Sequence, residues 1–122
     1  MTTISRPGAY YYLGGHAGED VARVITLYST YDESSGTGTP VNLTGCAFKA
    51  EGKNSAGTSQ WEITPTAATP SNGEITLTIP LATTASKAGL TGEWALRVTW
   101  TDGTKTFPVW GRWGFTSVVL VD

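Results

Sequence analysis

Residues 91–115 read TGEWALRVTWTDGTKTFPVWGRWGF, and the way this stretch pairs with itself decides the fold. In its first half the even positions Trp94, Leu96, Val98 and Trp100 are apolar, while Glu93, Ala95, Arg97 and Thr99 form a more polar face. Successive side chains of a strand point to opposite faces, so this is the pattern of a half-buried strand. Asp102-Gly103 is a hairpin turn signal. Beyond it the apolar parity becomes odd, at Phe107, Val109, Trp113 and Phe115, and further on at Val119 and Val121. Folding the stretch about that turn, through a two- or four-residue loop, sets Val98 opposite Phe107, Leu96 opposite Val109 and Trp94 opposite Gly111. Both strands then bury the same face, and Gly111 leaves room for Trp94. The same register places Glu93 opposite Arg112 and Ala95 opposite Trp110 on the outer face, where a charge pair contributes about 0.2–1 kcal/mol. A slip of one residue would invert every side chain. Pro108 has no N–H for the ladder, which favours the four-residue loop, with Pro108 at a non-hydrogen-bonded position facing away from its partner. A bulge at Pro108 is the alternative.

Upstream, EITLTIP (residues 74–80) points Ile75, Leu77 and Ile79 inward and Thr76 and Thr78 outward. Cys46, Phe48 and Ala50 share one parity with Lys49 and Glu51 on the other, and Trp61 and Ile63 alternate with Glu62 and Thr64. DVARVITLYSTY (residues 20–31) is a strand by propensity, with apolar residues on both parities, as expected when both faces are covered. Residues 14–18, 34–40 and 52–59 read as loops. Residues 81–91, LATTASKAGLT, are expected to form a crossing loop between sheets, with one short helical turn as the alternative. Residues 1–12 form an extended N-terminal arm broken at Pro7-Gly8, and residues 13–122 a single domain. Six or seven short strands, turn signals every 8 to 15 residues and one long C-terminal hairpin predict an all-β fold. The first choice is an immunoglobulin-like two-sheet β-sandwich, and a jelly roll or small β-barrel is the alternative. The Cys…Trp…Cys spacing of antibody domains is absent.

A chain of 122 residues is the usual size of one domain with one core. With 8 basic and 10 acidic residues and a net charge of −2, it carries no basic footprint for nucleic acid or an anionic membrane. No apolar run approaches the roughly 18 residues of a membrane span, and MTTISRPG lacks the layout of a secretory signal, so folding in the cytosol is expected. The single cysteine, Cys46, excludes an internal disulfide.

Candidates for chemistry are few. His16, the only histidine, lies in GGHAGED without the convergent ligands a metal needs, and reads as part of a solvated loop. Gly14-Gly15 with Gly18 lacks the Lys-Ser/Thr of a phosphate loop. Cys46 lies on an apolar parity with no histidine near it in sequence, and reads as a small buried hydrophobe. Carboxylate pairs such as Glu19/Asp20, Asp32/Glu33 or Glu62/Glu74 suit a glycosidase only with a cleft that a chain this small hardly offers. No catalytic residue, metal or cofactor is therefore expected.

The aromatics carry the remaining signal. Trp110 falls on the outer face with Arg112, and Arg97 lies diagonally near, which makes a cation–π cluster or a contact site. Tyr10-Tyr11-Tyr12, next to the Pro-Gly break, suits addition to a neighbouring subunit's sheet edge or packing in a groove. Protein interfaces favour aromatics and arginine at their hot spots, so the expected interface is Tyr10, Tyr11, Tyr12, Arg97, Trp110 and Arg112. Carbohydrate-binding sandwiches also stack sugars on exposed rings, so a glycan bound by Trp110, the tyrosine run or Tyr31 is the alternative partner.

The strand at 20–28, the run PVNLTG (residues 40–45), NGEITLTI (residues 72–79), GEWALRVTW (residues 92–100), Asp102-Gly103 and the strand through Gly111 together give a further lead. In this pattern, over about four fifths of the chain, the sequence resembles the small immunoglobulin-like domains of tailed-phage structural proteins, such as the N-terminal domain of phage baseplate upper proteins. The resemblance implies a non-enzymatic virion component that contacts like subunits and a capsid or tail protein after assembly in the host cytoplasm. No coiled coil or receptor-binding region follows within the sequence, so capsid decoration, cement, a knob or a tail adaptor is expected rather than a baseplate role. The matching positions are structural, and the resemblance assigns no functional residue.

Overall fold

A computed structural model describes residues 2–4, 9–32 and 34–117. Val119 and Val121, expected on the buried face, lie outside them, as does the side chain of Tyr31. The strands are β1 (Thr2–Ile4), β2 (Ala9–Tyr10), β3 (Leu13–His16), β4 (Val21–Asp32), β5 (Thr37–Pro40), β6 (Ala47–Lys53), β7 (Ser59–Ile63), β8 (Glu74–Ile79), β9 (Thr91–Thr99) and β10 (Lys105–Thr116), with one short helix, α1 (Leu81–Ser86).

They form a two-sheet sandwich. In the wide sheet β2 and β3 follow one another along β10, and the order continues through β9 and β6 to β7, five positions across. In the narrow sheet β4 is central, with β1 along it in parallel and β8 and β5 antiparallel. Leu27 donates its N–H to Gly73 O and accepts from Val41 N; both groups of one residue point to one side, so β8 and β5 lie in succession on the same edge of β4. The narrow sheet is thus three positions across. Antiparallel β10, β9, β6 and β7 facing the β4–β8 pair make the all-β two-sheet sandwich expected.

The strands expected from the sequence are β4, by propensity, and β6, β7, β8, β9 and β10, by alternation. The others come from segments that carry no alternation. Two pieces of the expected extended arm are sheet members: Thr2–Ile4 pair with Ile25–Leu27 in the narrow sheet, and Ala9–Tyr10 pair with β10 in the wide one; Leu13–His16, of which residues 14–16 were expected in a loop, also pair with β10. Part of the expected loop at 34–40 is β5, which extends β4 as a two-stranded ribbon with all four β5 residues exposed.

One core lies between the sheets. The narrow sheet contributes Val21, Ile25, Leu27, Ile75, Leu77 and Ile79, and the wide sheet Leu13, Ala50, Trp61, Trp94, Leu96, Val98, Val109, Trp113 and Phe115. Arg23 shares the inward parity of β4 but sits at the rim, where Nη2 donates to Gly14 O (2.7 Å) and ties the narrow sheet to β3. The other face of β4 is partly covered, with Thr26 buried and Val24 half-buried. Phe48 and Cys46 pack half-buried against the core, and burial pushes the Cys46 thiol pKa up.

The buried indoles are admitted by glycines. Trp94 lies opposite Gly111 and Gly52, Trp113 opposite Gly92, and Trp61 opposite Gly52. A Cβ on Gly111 would strike the Tyr11 backbone, and one on Gly92 the Lys53 carbonyl. Those two carbonyls accept the indole N–H groups, Trp94 Nε1 to Tyr11 O at 2.9 Å and Trp113 Nε1 to Lys53 O at 3.0 Å. Gly111 therefore makes room for the Tyr11 backbone that satisfies Trp94, rather than for the Trp94 ring itself. Trp61 packs edge-on against Trp113 with centroids 5.9 Å apart.

The β9–β10 hairpin keeps the expected inner register, with Leu96 opposite Val109, Trp94 opposite Gly111 and Glu93 opposite Arg112. It reaches that register by a different route. The loop has three residues, Thr101 to Gly103, closed by Trp100 N to Thr104 O (2.8 Å) and Gly103 N to Trp100 O (2.9 Å), with Gly103 at φ 87°. That puts Val98 opposite Thr106, and the register shifts between Thr106 and Val109. The bulge at Phe107-Pro108 restores the expected pairing, because one extra residue on β10 compensates for the shorter loop. The inward placement of Phe107 is corrected, and at Pro108 the bulge offered as the alternative is the one found. Phe107 is 58% exposed, and Pro108 is buried. The missing N–H of proline is tolerated where the ladder is already broken.

Residues 81–91 contain a helical turn rather than only a loop. Leu81 N donates to Asp20 Oδ1 (2.7 Å), and the buried Thr84 hydroxyl donates to Glu19 O (2.7 Å) and accepts from Gly18 N (3.1 Å). Partners some 65 residues away in the chain hold α1 in place.

Candidate functional site

On β10 the odd residues from Val109 to Phe115 face the core, and Trp110 and Arg112 face outward. Tyr10 pairs with Trp110 and Ala95 pairs with Trp110 from the other side; Glu51 and Glu62 extend the row across β6 and β7. On one side of this row lies Arg112–Glu93–Lys53, and on the other Arg97–Lys49. Two exposed rings thus stand beside a low floor at Ala95, with cations at both ends. The bulge adds Phe107 to the same side.

Apart from Glu62, these residues surround a cleft of about 800 Å³, together with Asn54, Ser55 and Gly57 of the β6–β7 turn. That size is within the range of small-ligand sites. Tyr10 is 59% exposed and Trp110 44%. Rings of this exposure in a groove offer stacking surface without being needed by the core.

The electrostatics are uneven. Lys49 Nζ lies 3.0 Å from Glu62 Oε1, and Lys53 Nζ 3.7 Å from Glu51 Oε1. Among the described residues no ion pair forms at Arg97 or Arg112, although Glu93 lies opposite Arg112. Arg97 faces Lys49 directly across the β6–β9 pair, a like-charge juxtaposition that costs stability. Its Nε is buried and has no hydrogen-bond partner.

Of the six residues expected as an interface, four come together here: Tyr10, Arg97, Trp110 and Arg112. The other two of the tyrosine run part company with them. Tyr11 points inward, with its ring edge-on to Trp94 at 6.3 Å. Tyr12 is on the outer face and exposed, but its ring covers Gly14 and Gly114, away from the cleft. Of the two expectations for this group, a cation–π cluster or a contact site, no stacking of either guanidinium on the Trp110 indole is found among the described residues. Sequence reasoning placed Glu93 on this face opposite Arg112 but missed Phe107, Lys49 and Lys53; the proline in a strand was the signal for Phe107, while the two lysines needed the β6–β9 register.

Elsewhere, His16 is exposed at the end of β3, paired with Thr116. Among the described residues no group of three or more His, Cys, Asp or Glu side chains converges, and no helix is long and apolar enough to cross a membrane. The cleft offers stacking rings, guanidinium donors and ammonium groups, chemistry suited to gripping a planar, apolar or anionic surface. Compared with known families and curated proteins, the chain matches no family model and no curated sequence.

Proposed function

We propose that this protein is a non-enzymatic structural component of a phage virion, a decoration, cement, knob or tail-adaptor domain, that attaches through the outer face of its wide sheet. The observation that carries the reading is the convergence of Tyr10, Phe107, Trp110, Arg97 and Arg112 around one cleft. Exposed aromatics and arginines at the centre of a patch are the composition of interface hot spots. The virion assignment rests on the immunoglobulin-like sequence pattern. Assembly takes place in the host cytoplasm, and the protein's place is on the particle, against like subunits or a capsid or tail protein. The cleft also favours a second reading, a glycan stacked on Trp110 and Tyr10.

The test is mass spectrometry of purified particles whose genome encodes the chain. The protein is expected in the particles at a fixed copy number, and a Trp110→Ala variant that folds normally is expected to stay in the soluble fraction. A wild-type protein absent from particles would overturn the assignment.

A further inference from the structure

The cleft is arranged at some cost to the domain itself. Arg97 and Lys49 face one another across the β6–β9 pair, and among the described residues only Lys49 of the two has a carboxylate, Glu62. The Nε of Arg97 is buried and unpartnered. A buried donor without a partner costs free energy in the isolated domain. Beside it, Phe107 and Trp110 leave large apolar surfaces uncovered. Four of the eight basic residues of a chain whose net charge is −2 line this one cleft, against two carboxylates, Glu51 and Glu93.

We propose that the cleft receives an acidic polypeptide segment of a different protein, which seats a carboxylate on Arg97 and an apolar side chain over Ala95 against Trp110 and Phe107. The carboxylate gives Arg97 the anionic partner that its own domain withholds, and Arg112 at the far end takes a second. A charge-assisted bond to guanidinium is the strong kind, and exposed rings bury apolar surface at the same time. Glycans lacking acid groups would leave both arginines unpaired.

A second copy of this chain is a poorer occupant. Among its described residues the carboxylates of Glu51 and Glu62 are ion-paired, and those of Asp20 and Asp102 hold Leu81 N and Thr104 N. That leaves Glu19, Glu74 and Glu93, one of which lies in the cleft itself. Among the described residues a second copy thus offers few free carboxylates, and an acidic segment of another protein fits the cleft better.

This inference rests on the outer face being the attachment surface, and its test is separate from particle incorporation. Isothermal calorimetry with the whole chain would use three probes: a capped peptide EELEEL, its neutral counterpart QQLQQL, and maltohexaose. EELEEL is expected to bind saturably and to weaken as salt is raised, with QQLQQL about tenfold weaker or worse, the loss expected of a charged hydrogen bond. Arg97→Gln and, independently, Arg112→Gln are expected to weaken EELEEL by about tenfold, while Lys105→Gln leaves it unchanged. Equal binding of EELEEL and QQLQQL, binding of maltohexaose alone, no binding of any probe, or full affinity in both arginine variants would overturn the inference. If Trp110→Ala still abolished incorporation into particles in that case, the attachment surface would stand and only its acidic occupant would fall.

Discussion

The two faces of the β9–β10 hairpin are built from the same strands and do opposite things. The inner face holds Trp94, Leu96, Val98, Val109, Trp113 and Phe115, each at most 3% exposed; its indole N–H groups end on backbone carbonyls that cross at Gly111 and Gly92. The outer face holds Trp110, Arg112, Arg97 and Glu93, where a large ring stands in solvent and two guanidinium groups have no ion pair among the described residues. A tryptophan at residue 113 and another at residue 110 share one short motif, yet one is core and the other surface. Position in the alternation, set by register, decides this, and residue type does not.

Substitutions can break this contrast, and the core ones weigh most. Trp113→Ala removes a fully buried indole that packs on both Trp61 and Phe115, and is expected to cost about 3–5 kcal/mol by urea unfolding. Gly111→Ala comes next. Its methyl group would meet the Tyr11 backbone, and displacing β2–β3 from β10 is expected to cost about 1–3 kcal/mol, read as a lower urea midpoint. A smaller loss, about 1 kcal/mol, is expected for Gly103→Ala, because an L side chain is disfavoured at φ 87°.

The smallest effect is the pH dependence of the hairpin turn. Hydrogen bonds from Thr104 hold the Asp102 carboxyl below its ordinary value. A depressed folded pKa means that the contribution is complete above the ordinary carboxylate range and disappears as pH falls through the folded value. The difference in urea midpoint between wild type and Asp102→Asn is therefore expected to shrink between neutral and strongly acidic pH. A difference that grew with acid would contradict the hydrogen-bonded turn.

Much of the sandwich was legible because alternation is local. Ile75, Leu77 and Ile79, or Trp94, Leu96 and Val98, announce their own burial in any antiparallel partner. The N-terminal strands were not legible in this way. Tyr10-Tyr11-Tyr12 and Gly14-Gly15 show no alternation of polarity, and their parallel pairing with a strand a hundred residues later leaves no turn signal between them. That pairing sorts the tyrosines, Tyr10 to the cleft, Tyr11 onto Trp94 and Tyr12 onto glycine. The hairpin teaches a related point: an odd loop and a bulge, each altering the register by one, compensated, so the inner pairing was right while Phe107 was placed on the wrong face. In the site, Trp110 and the arginines could be read from parity alone. Lys49 and Lys53 could not, since their proximity to Arg97 and Glu93 depends on how β6 aligns with β9.

The central claim is that stability resides in the inner face and recognition in the outer one. Its most direct test is urea unfolding of Trp94→Ala and Trp110→Ala side by side with the wild type. Trp94→Ala is expected to lose about 3–5 kcal/mol, and Trp110→Ala to stay within about 0.5 kcal/mol of wild type. A Trp110→Ala variant as unstable as Trp94→Ala would put Trp110 in the core and contradict the division of the two faces.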